Sequence, residues 1–153
     1  MTIFRCNNQV VQRLAILLLP VMFLLVGCDD RQLVTVKLGE FTVNVEVAAD
    51  PGERSVGLMN RRHLEPDRGM LFVFPRQETQ KIWMRNTLIP LDVGFFDRQG
   101  VLLNYTGMEP LNDTLHYSVA PAIYALEMNR GWYERNKIKP GMKLVLPGPI
   151  QGI

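Results

Sequence analysis

The most regular hydrophobic pattern of the chain lies between positions 41 and 47. Apolar residues alternate there with polar ones: Phe41, Val43, Val45 and Val47 are separated by Thr42, Asn44 and Glu46. An alternation of period two is typical of a strand with one buried face. A second apolar run, 33–38, precedes it, and Gly39-Glu40 suits a two-residue turn. The pattern predicts a β-hairpin.

Short apolar runs separated by turn residues continue along the chain. The run at 70–74 is wholly apolar and of strand length, so we expect a buried strand. Further strands are expected at 91–96, 101–105, 115–119, 123–129 and 142–146. Roughly eight short strands with regular turns predict a mostly β domain, either a compact β-sandwich or a partly open barrel.

One short helix is expected at about 51–62. Asp50 is suited to the N-cap, and Pro51 suits the first helical position. Glu53 follows Asp50 by three residues, which is the spacing of a capping box. A further turn of helix is expected at 131–136.

The segment 83–92 fits neither a helix nor a strand period, and we call it the corner. Its sequence is Trp-Met-Arg-Asn-Thr-Leu-Ile-Pro-Leu-Asp. Asn86 and Thr87 favour a turn, because short polar side chains bond nearby backbone groups. Adjacent strand residues point to opposite faces, so we expect Met84 in the core and Trp83 facing outward or into a cleft. The turn and Pro90 fold the chain back, so we expect Asp92 near Trp83. A carboxylate there is costly unless it is solvated or paired, and we expect Arg54 or Arg61 to pair it.

The first 27 residues are typical of a secretory signal. Arg5 and Arg13 give it a positive start, and the apolar run 14–26 has 13 residues. That length is short of the ~20 residues that a membrane-spanning helix needs. Leu-Val-Gly-Cys at 25–28 resembles the bacterial lipobox, which implies cleavage before Cys28 and acylation of its sulfur. An uncleaved short anchor is the alternative.

This interpretation divides the chain into a signal peptide at 1–27, a polar tether at 28–32, one domain at 33–146 and an irregular tail at 147–153. The protein would lie in the cell envelope, held at a membrane through acylated Cys28 and facing the periplasm or the exterior. Asp29 resembles an inner-membrane retention signal of some enteric bacteria, but the choice of membrane stays open.

Cysteine content and charge exclude several classes of function. The cysteines are Cys6 and Cys28, so the mature domain has no thiol for a nucleophile or a thiolate metal site. The whole chain has 17 basic and 15 acidic residues, and loss of Arg5 and Arg13 leaves 15 of each. A neutral domain lacks the basic surface of a nucleic-acid-binding protein. We expect neither a nucleic-acid partner nor a cofactor.

Five blocks of the sequence form a recognisable set: Glu53-Arg54-x-x-Gly57-Leu58-Met59-x-Arg61, Gly69-Met70-Leu71-Phe72-x-Phe74, Trp83-Met84-x-Asn86-Thr87-x-Ile89-Pro90-Leu91-Asp92, Leu126-Glu127 and Ile138-x-x-Gly141. Together they resemble family 192 of the domains of unknown function (DUF192) over about 33–146. The resemblance implies a secreted or lipid-anchored prokaryotic protein with a compact β-sandwich and a short helix. It implies no particular biochemical activity.

The candidate binding residues combine an aromatic face, cations and directional polar groups: Arg54, Arg61, Trp83, Asn86, Thr87, Asp92 and Glu127. An aromatic wall with a few convergent polar groups suits a small polar ligand or a glycan. The same residues also suit a surface that docks an envelope protein, because Trp and Arg are favoured anchors. In the bland alternative the polar residues tie the corner together, and Glu127 pairs with Arg54 or Arg61.

Two chemical alternatives stay open. Asp92 and Glu127 could face each other across a cleft and hydrolyse a glycoside, whereas His63 and His116 lack the serine context of a catalytic triad. Thioethers are soft ligands that suit Cu(I), yet methionine is also a common filler of cores. The methionines available for copper are Met59, Met70, Met84, Met108, Met128 and Met142.

Overall fold

A computed structural model describes residues 33–153, so the predicted signal peptide, the tether and Cys28 lie outside the described residues. The strands and helices of this part are β1 (Val34–Leu38), β2 (Phe41–Ala48), α1 (Pro51–Val56), β3 (Arg68–Glu78), β4 (Lys81–Ile82), β5 (Leu91–Phe96), β6 (Leu102–Met108), β7 (His116–Tyr117), β8 (Ala122–Asn129), α2 (Trp132–Arg135) and β9 (Leu144–Val145). Neither helix in 33–153 has the length and apolar character needed to cross a bilayer.

Seven of the strands form one curled sheet in the order β6-β5-β8-β3-β2-β1-β9. The pair β2 and β3 is parallel, and the other neighbours are antiparallel. Parallel strands need a crossover connection, and α1 lies in it. Strands β4 and β7 form a separate two-stranded sheet. The mostly β prediction, with a partly open barrel and a short helix, is confirmed.

Backbone contacts bring the two edges of the large sheet together at one end. Val101 forms a bridge with Lys143, which lies just before the edge strand β9. The Leu102 N–H donates to the Met142 carbonyl at 2.8 Å, and the Leu144 N–H donates to the Gly100 carbonyl at 2.7 Å. These bonds occupy polar groups that exposed sheet edges would otherwise present to other chains.

Both faces of the sheet are buried, and alternation along the strands assigns residues to two clusters. The Tyr133 core contains Leu71, Val73, Leu126, Met128 and Tyr133 among others. The Met84 core contains Met70, Phe72, Val93, Phe95 and Met84 among others. Successive residues of β3 therefore point to opposite clusters, as the pleat of a strand requires.

The helix α1 begins where the sequence predicts and ends earlier. The Glu53 N–H donates to Asp50 Oδ1 at 2.8 Å, and the Asp50 N–H donates to Glu53 Oε2 at 3.1 Å, which completes the capping box. Gly57 then adopts φ of 49° and closes the helix at Val56. A positive φ is a conformation that glycine adopts without a Cβ clash, so the predicted range 51–62 was too long.

Two further differences concern the ends of strands β3 and β4. Strand β3 runs from Arg68 to Glu78 and is longer at both ends than the predicted buried strand at 70–74. Strand β4 is limited to Lys81 and Ile82, so Trp83 and Met84 lie just beyond it. The predicted hairpin turn at Gly39 is confirmed, and Gly100 lies in the turn that joins β5 to β6; both glycines have positive φ.

Candidate functional site

A pocket of about 100 Å³ lies between α1 and the corner, on the face of the sheet that carries the Met84 core. The apolar part of its lining comes from Leu58, Met59, Phe72, Phe74, Ile82 and Trp83. The polar groups in its lining include Arg54, Lys81, Thr87 and Glu127. We call it the Glu127 pocket.

Glu127 lies in the middle of β8, with β3 on one side and β5 on the other. Its partners across the two ladders are Met70 and Val93, which are both buried. The Glu127 side chain is itself only 4% exposed. No residue in 33–153 donates a hydrogen bond to its carboxylate or forms an ion pair with it. Burial alone raises the pKa of Glu127 to about 8, so the group is largely protonated at neutral pH.

The Arg54 guanidinium lies in the pocket lining but is committed to backbone oxygens. Nη1 donates to the Val73 carbonyl at 3.0 Å and also to the Ala49 carbonyl. Nη2 donates to the main-chain oxygen of Ile153 at 2.7 Å. Arg54 therefore fastens α1 to β3 and to the end of the chain, and it does not pair with Glu127.

Arg61 forms a two-pronged ion pair with Glu46 of β2. The Nη1–Oε1 distance is 2.5 Å and the Nη2–Oε2 distance is 2.6 Å. Both side chains are largely buried, with 21% of the Arg61 side chain and 9% of the Glu46 side chain exposed. The predicted pairing of Glu127 with Arg54 or Arg61 is therefore wrong.

The corner places its residues as the alternation predicts. Met84 is fully buried, and Trp83 is 41% exposed and forms part of the pocket wall. The Arg85 guanidinium lies 4.1 Å from the centre of the Trp83 ring and also pairs with Asp113 at 3.0 Å. Trp83 thus already carries one cation on its surface, a contact that ring electrostatics favour.

Asn86 and Thr87 form the turn of the corner. Asn86 has φ of 56°, and its carbonyl accepts a 2.8 Å hydrogen bond from the Asn60 N–H. The Asn86 side chain is exposed, and its Nδ2 is 4.0 Å from Met59 Sδ. Thr87 is 5% exposed and lines the pocket. The turn therefore holds the loop that contains Met59 and Asn60 against the corner. Thr87 is the residue of this turn that lines the pocket.

Asp92 lies on the other face of the sheet. It is paired in register with Met128, whereas Val93 is paired with Glu127. Residues directly opposite each other share a face and successive residues alternate, so the Asp92 and Glu127 side chains point to opposite sides. The geometry does not form the two-carboxylate cleft that glycoside hydrolysis needs.

Asp92 has structural partners on its own face. The backbone N–H groups of Gly131 and Tyr133 donate to its carboxylate, and Arg130 Nε is 3.6 Å from Oδ1. Burial raises the pKa of Asp92, and these partners oppose the shift. The cation that pairs with Asp92 is therefore Arg130, rather than the predicted Arg54 or Arg61.

The family profile of DUF192, described as "Uncharacterized ACR", matches residues 34–146. The chain belongs to the DUF192 family. A solved structure from Sinorhizobium meliloti 1021, described as a "putative transcription regulator", is 33% identical with a TM-score of 0.76, and the match covers 80% of this chain and 100% of that one. A protein of unknown function from Novosphingobium aromaticivorans DSM 12444 is 31% identical with a TM-score of 0.74, and covers 77% and 88%. No curated protein matches this DUF192 chain.

Sequence reasoning missed several residues of this DUF192 site. Met59, Phe72, Phe74 and Lys81 line the pocket but were not among the candidate binding residues. The signal available in 70–74 was the alternation of side-chain direction along a strand, which places Phe72 and Phe74 on one face and Leu71 on the other. Which face receives Glu127 depends on the pairing of β3 with β8, which the sequence pattern does not reveal.

The copper alternative finds little geometric support in this DUF192 domain. Met70, Met84 and Met108 are packed in the Met84 core, whereas Met128 lies in the Tyr133 core. These four side chains are buried and fill the two clusters, as methionine commonly does. Among residues 33–153, no group of three His, Cys, Asp or Glu side chains is arranged to hold a metal ion.

Proposed function

We propose that this DUF192 protein is a lipid-anchored protein of the cell envelope whose domain binds a small organic ligand in the Glu127 pocket. The observation that carries the proposal is a buried carboxyl group that has no partner in the described chain and lines a concave site with both apolar and polar walls. Small-molecule sites combine apolar and aromatic side chains with placed polar groups that set orientation.

The energetics of Glu127 support a partner from outside the chain. The fully enclosed side-chain atom without a partner in 33–153 is Trp132 Nε1, so the Glu127 oxygens keep some contact with the pocket space. A largely buried polar group without a hydrogen bond still lowers stability, and most such groups in folded proteins are bonded. An apolar residue at the centre of β8 would pack against Met70 and Val93 without that cost. A ligand that bonds the carboxyl group would offset the loss, and the open pocket gives it access.

The anchor part of the proposal rests on the sequence before the domain. The short apolar run 14–26 and the lipobox-like segment ending at Cys28 support acylation of that sulfur. Multiple acyl chains give a stable anchor, where one chain gives only marginal binding. The domain would then stand next to the membrane on a tether at 28–32.

The charge of the domain favours a small ligand over DNA, although one similar protein is described as a transcription regulator. Removing Arg5, Arg13, Arg31, Asp29 and Asp30 from the totals leaves 14 basic and 13 acidic residues in 33–153. Binding to the phosphate backbone depends on clustered Lys and Arg. Such a balanced domain supplies little of that attraction.

A thermal-shift screen tests the binding proposal. Full-length protein in detergent micelles would be heated with a panel of small amines, alcohols, amides, carboxylates and sugars. We expect at least one compound to raise the Tm of the wild type and of Val119→Ser, a control at a position that is 74% exposed and outside the pocket. Met59→Trp, which adds bulk to the pocket wall, should abolish the shift. A shift that persists in Met59→Trp, or no shift at all, would contradict the proposal.

A further inference from the structure

We infer that the ligand of the Glu127 pocket is a small organic cation, an alkylammonium group whose charge is held against the Glu127 carboxylate. This inference rests on the proposed function and names the class of ligand. It follows from four features of the pocket: its lone acid, the charges around it, its aromatic walls and its size.

The first feature is the chemistry of the lone acid. An ionised carboxylate only accepts hydrogen bonds, and an ammonium group only donates them. Ion-assisted bonds of this kind are about twice as strong as neutral ones. Met70 and Val93, the ladder partners of Glu127, offer it no donor. An ammonium ligand therefore supplies the donor and the positive charge that Glu127 lacks. A carboxylate or phosphate ligand would instead place a second acidic group beside Glu127.

The second feature is the set of charged groups on the elements packed around Glu127. Arg54 of α1 is held by backbone oxygens. Glu46 of β2 lies in the same cross-strand row, on the far side of Met70, and is paired with Arg61. Lys81 of β4 lines the pocket, but its side chain is exposed to solvent.

The remaining charged or ionisable neighbours lie on the other face of the sheet. Asp92 of β5 is paired there with Arg130. Tyr133 of α2 donates its hydroxyl to the Leu126 carbonyl at 2.9 Å, and burial raises its pKa well above the usual value. No group of the described chain thus acts as the counter-ion of Glu127, and burial is the one cause of its raised pKa.

The third feature is the aromatic character of the walls. Phe72, Phe74 and Trp83 contribute rings to the lining, and Met59 contributes a polarisable thioether. Cations are attracted to the faces of aromatic rings, and ammonium ligands are commonly recognised this way. The contact of Arg85 with Trp83 is an example within this chain. Rings around a carboxylate favour a cation with an apolar body.

The fourth feature is size. The pocket has a volume of about 100 Å³, and an enclosed cavity of about 150 Å³ takes up benzene. A short alkylammonium such as ethylammonium is smaller than benzene and fits this volume.

Binding of the cation is coupled to release of a proton. The free protein holds Glu127 mainly as the neutral acid at pH 7, because its pKa is about 8. When an alkylammonium ion binds, the acid loses its proton to solvent and the ion pair forms, so one positive charge enters for each proton that leaves. Affinity should therefore rise with pH and level off above the pKa of free Glu127.

NMR of full-length protein in micelles tests this inference. The readouts are the carboxyl carbon of Glu127, assigned by its loss in Glu127→Gln, and the methyl group of Met59. We expect ethylammonium to shift the Met59 methyl signal and to lower the apparent pKa of Glu127 by at least about one unit. Ethanol, a neutral molecule of similar size, should leave that pKa unchanged.

Two variants serve as controls. Glu127→Gln should weaken ethylammonium binding at least tenfold, and Glu127→Asp should retain the coupling between binding and proton release. If ethanol or acetate shifts the Met59 methyl signal and ethylammonium does not, the ligand class is wrong while the binding proposal stands. If no small molecule perturbs either signal, the binding proposal itself fails and this inference fails with it.

Discussion

Asp92 and Glu127 point to opposite faces of one sheet although their strands are direct neighbours. Val93, and not Asp92, is the ladder partner of Glu127. The difference of one position gives the two acids separate surroundings. Asp92 is held by backbone N–H groups and Arg130, whereas Glu127 lines a pocket and has no partner within 33–153. The first therefore has a structural role, and the second is the candidate for ligand binding.

Glu127 should make the stability of the protein fall as pH rises. The folded state keeps the Glu127 proton up to a pKa of about 8, whereas the unfolded chain releases it near the ordinary value of 4.5. Between these values the unfolded state binds fewer protons, so the free energy of unfolding decreases with increasing pH. Near pH 4.5, Glu127→Gln and the wild type should have the same free energy of unfolding. At pH 7 the variant should be more stable by about 3 kcal/mol. Urea unfolding of both proteins across this range measures the difference, and a constant difference would show that Glu127 titrates normally.

Gly94 should not tolerate a side chain. A Cβ at this position would lie 2.7 Å from Tyr133 Cζ and still closer to the hydroxyl oxygen. The Tyr133 ring stacks on Tyr105 at 4.9 Å between centroids, which limits its freedom to move. Gly94→Ala should lower the free energy of unfolding by about 1–3 kcal/mol, a typical cost of overpacking. Gly148→Ala is the matched control, because no atom lies within 4 Å of its added Cβ, and equal effects of the two changes would contradict the packing argument.

The ion pair of Arg61 and Glu46 should be costly to break from one side. Arg61→Met leaves the largely buried Glu46 carboxylate without its main cation. We expect a loss of about 3 kcal/mol, in the range seen when one partner of a buried pair is removed. The double variant Arg61→Met with Glu46→Met removes both charges and should recover most of this loss. Chemical denaturation of the wild type, Arg61→Met, Glu46→Met and the double variant gives the coupling energy between the two side chains. If the double variant is no more stable than Arg61→Met, lost packing and not the unpaired charge explains the effect.

The N-cap of α1 should contribute a measurable amount of stability. Asp50→Ala removes the acceptor of the Glu53 N–H bond and should cost about 1 kcal/mol. Asp50→Asn keeps a side-chain oxygen at the cap and should cost much less. Midpoints of urea unfolding compare the two variants, and equal midpoints would argue that the side chain of residue 50 does not cap the helix.

Cys28 should be the residue that holds the protein at the membrane. Cys28→Ser removes the sulfur that a lipoprotein pathway acylates, so the protein should move from the membrane fraction to the soluble fraction. Mass spectrometry of the wild type should show an acylated amino terminus at Cys28. A Cys28→Ser protein that stays in the membrane with residues 1–27 attached would support the uncleaved anchor instead.

The sequence by itself determined the local features of the fold. The alternation at 41–47 and the turn at Gly39 were sufficient for the first hairpin. Asp50, Pro51 and Glu53 fixed the start of α1, and the order of Trp83 and Met84 gave their exposed and buried positions. Each of these depends on residues within a few positions of one another, where backbone geometry and capping bonds act directly.

Only the tertiary structure decided the partners of the charged groups. Glu127 faces the pocket because β8 pairs with β3 in one register, and a shift by one residue would send its side chain to the Tyr133 core. In the same way Arg61 pairs with Glu46, and Arg130 pairs with Asp92. The residues of each pair are too far apart in the sequence for a helix or strand period to relate them. Hydrophobic alternation specifies that a face is buried, but strand order and register decide which residues from distant segments meet on that face.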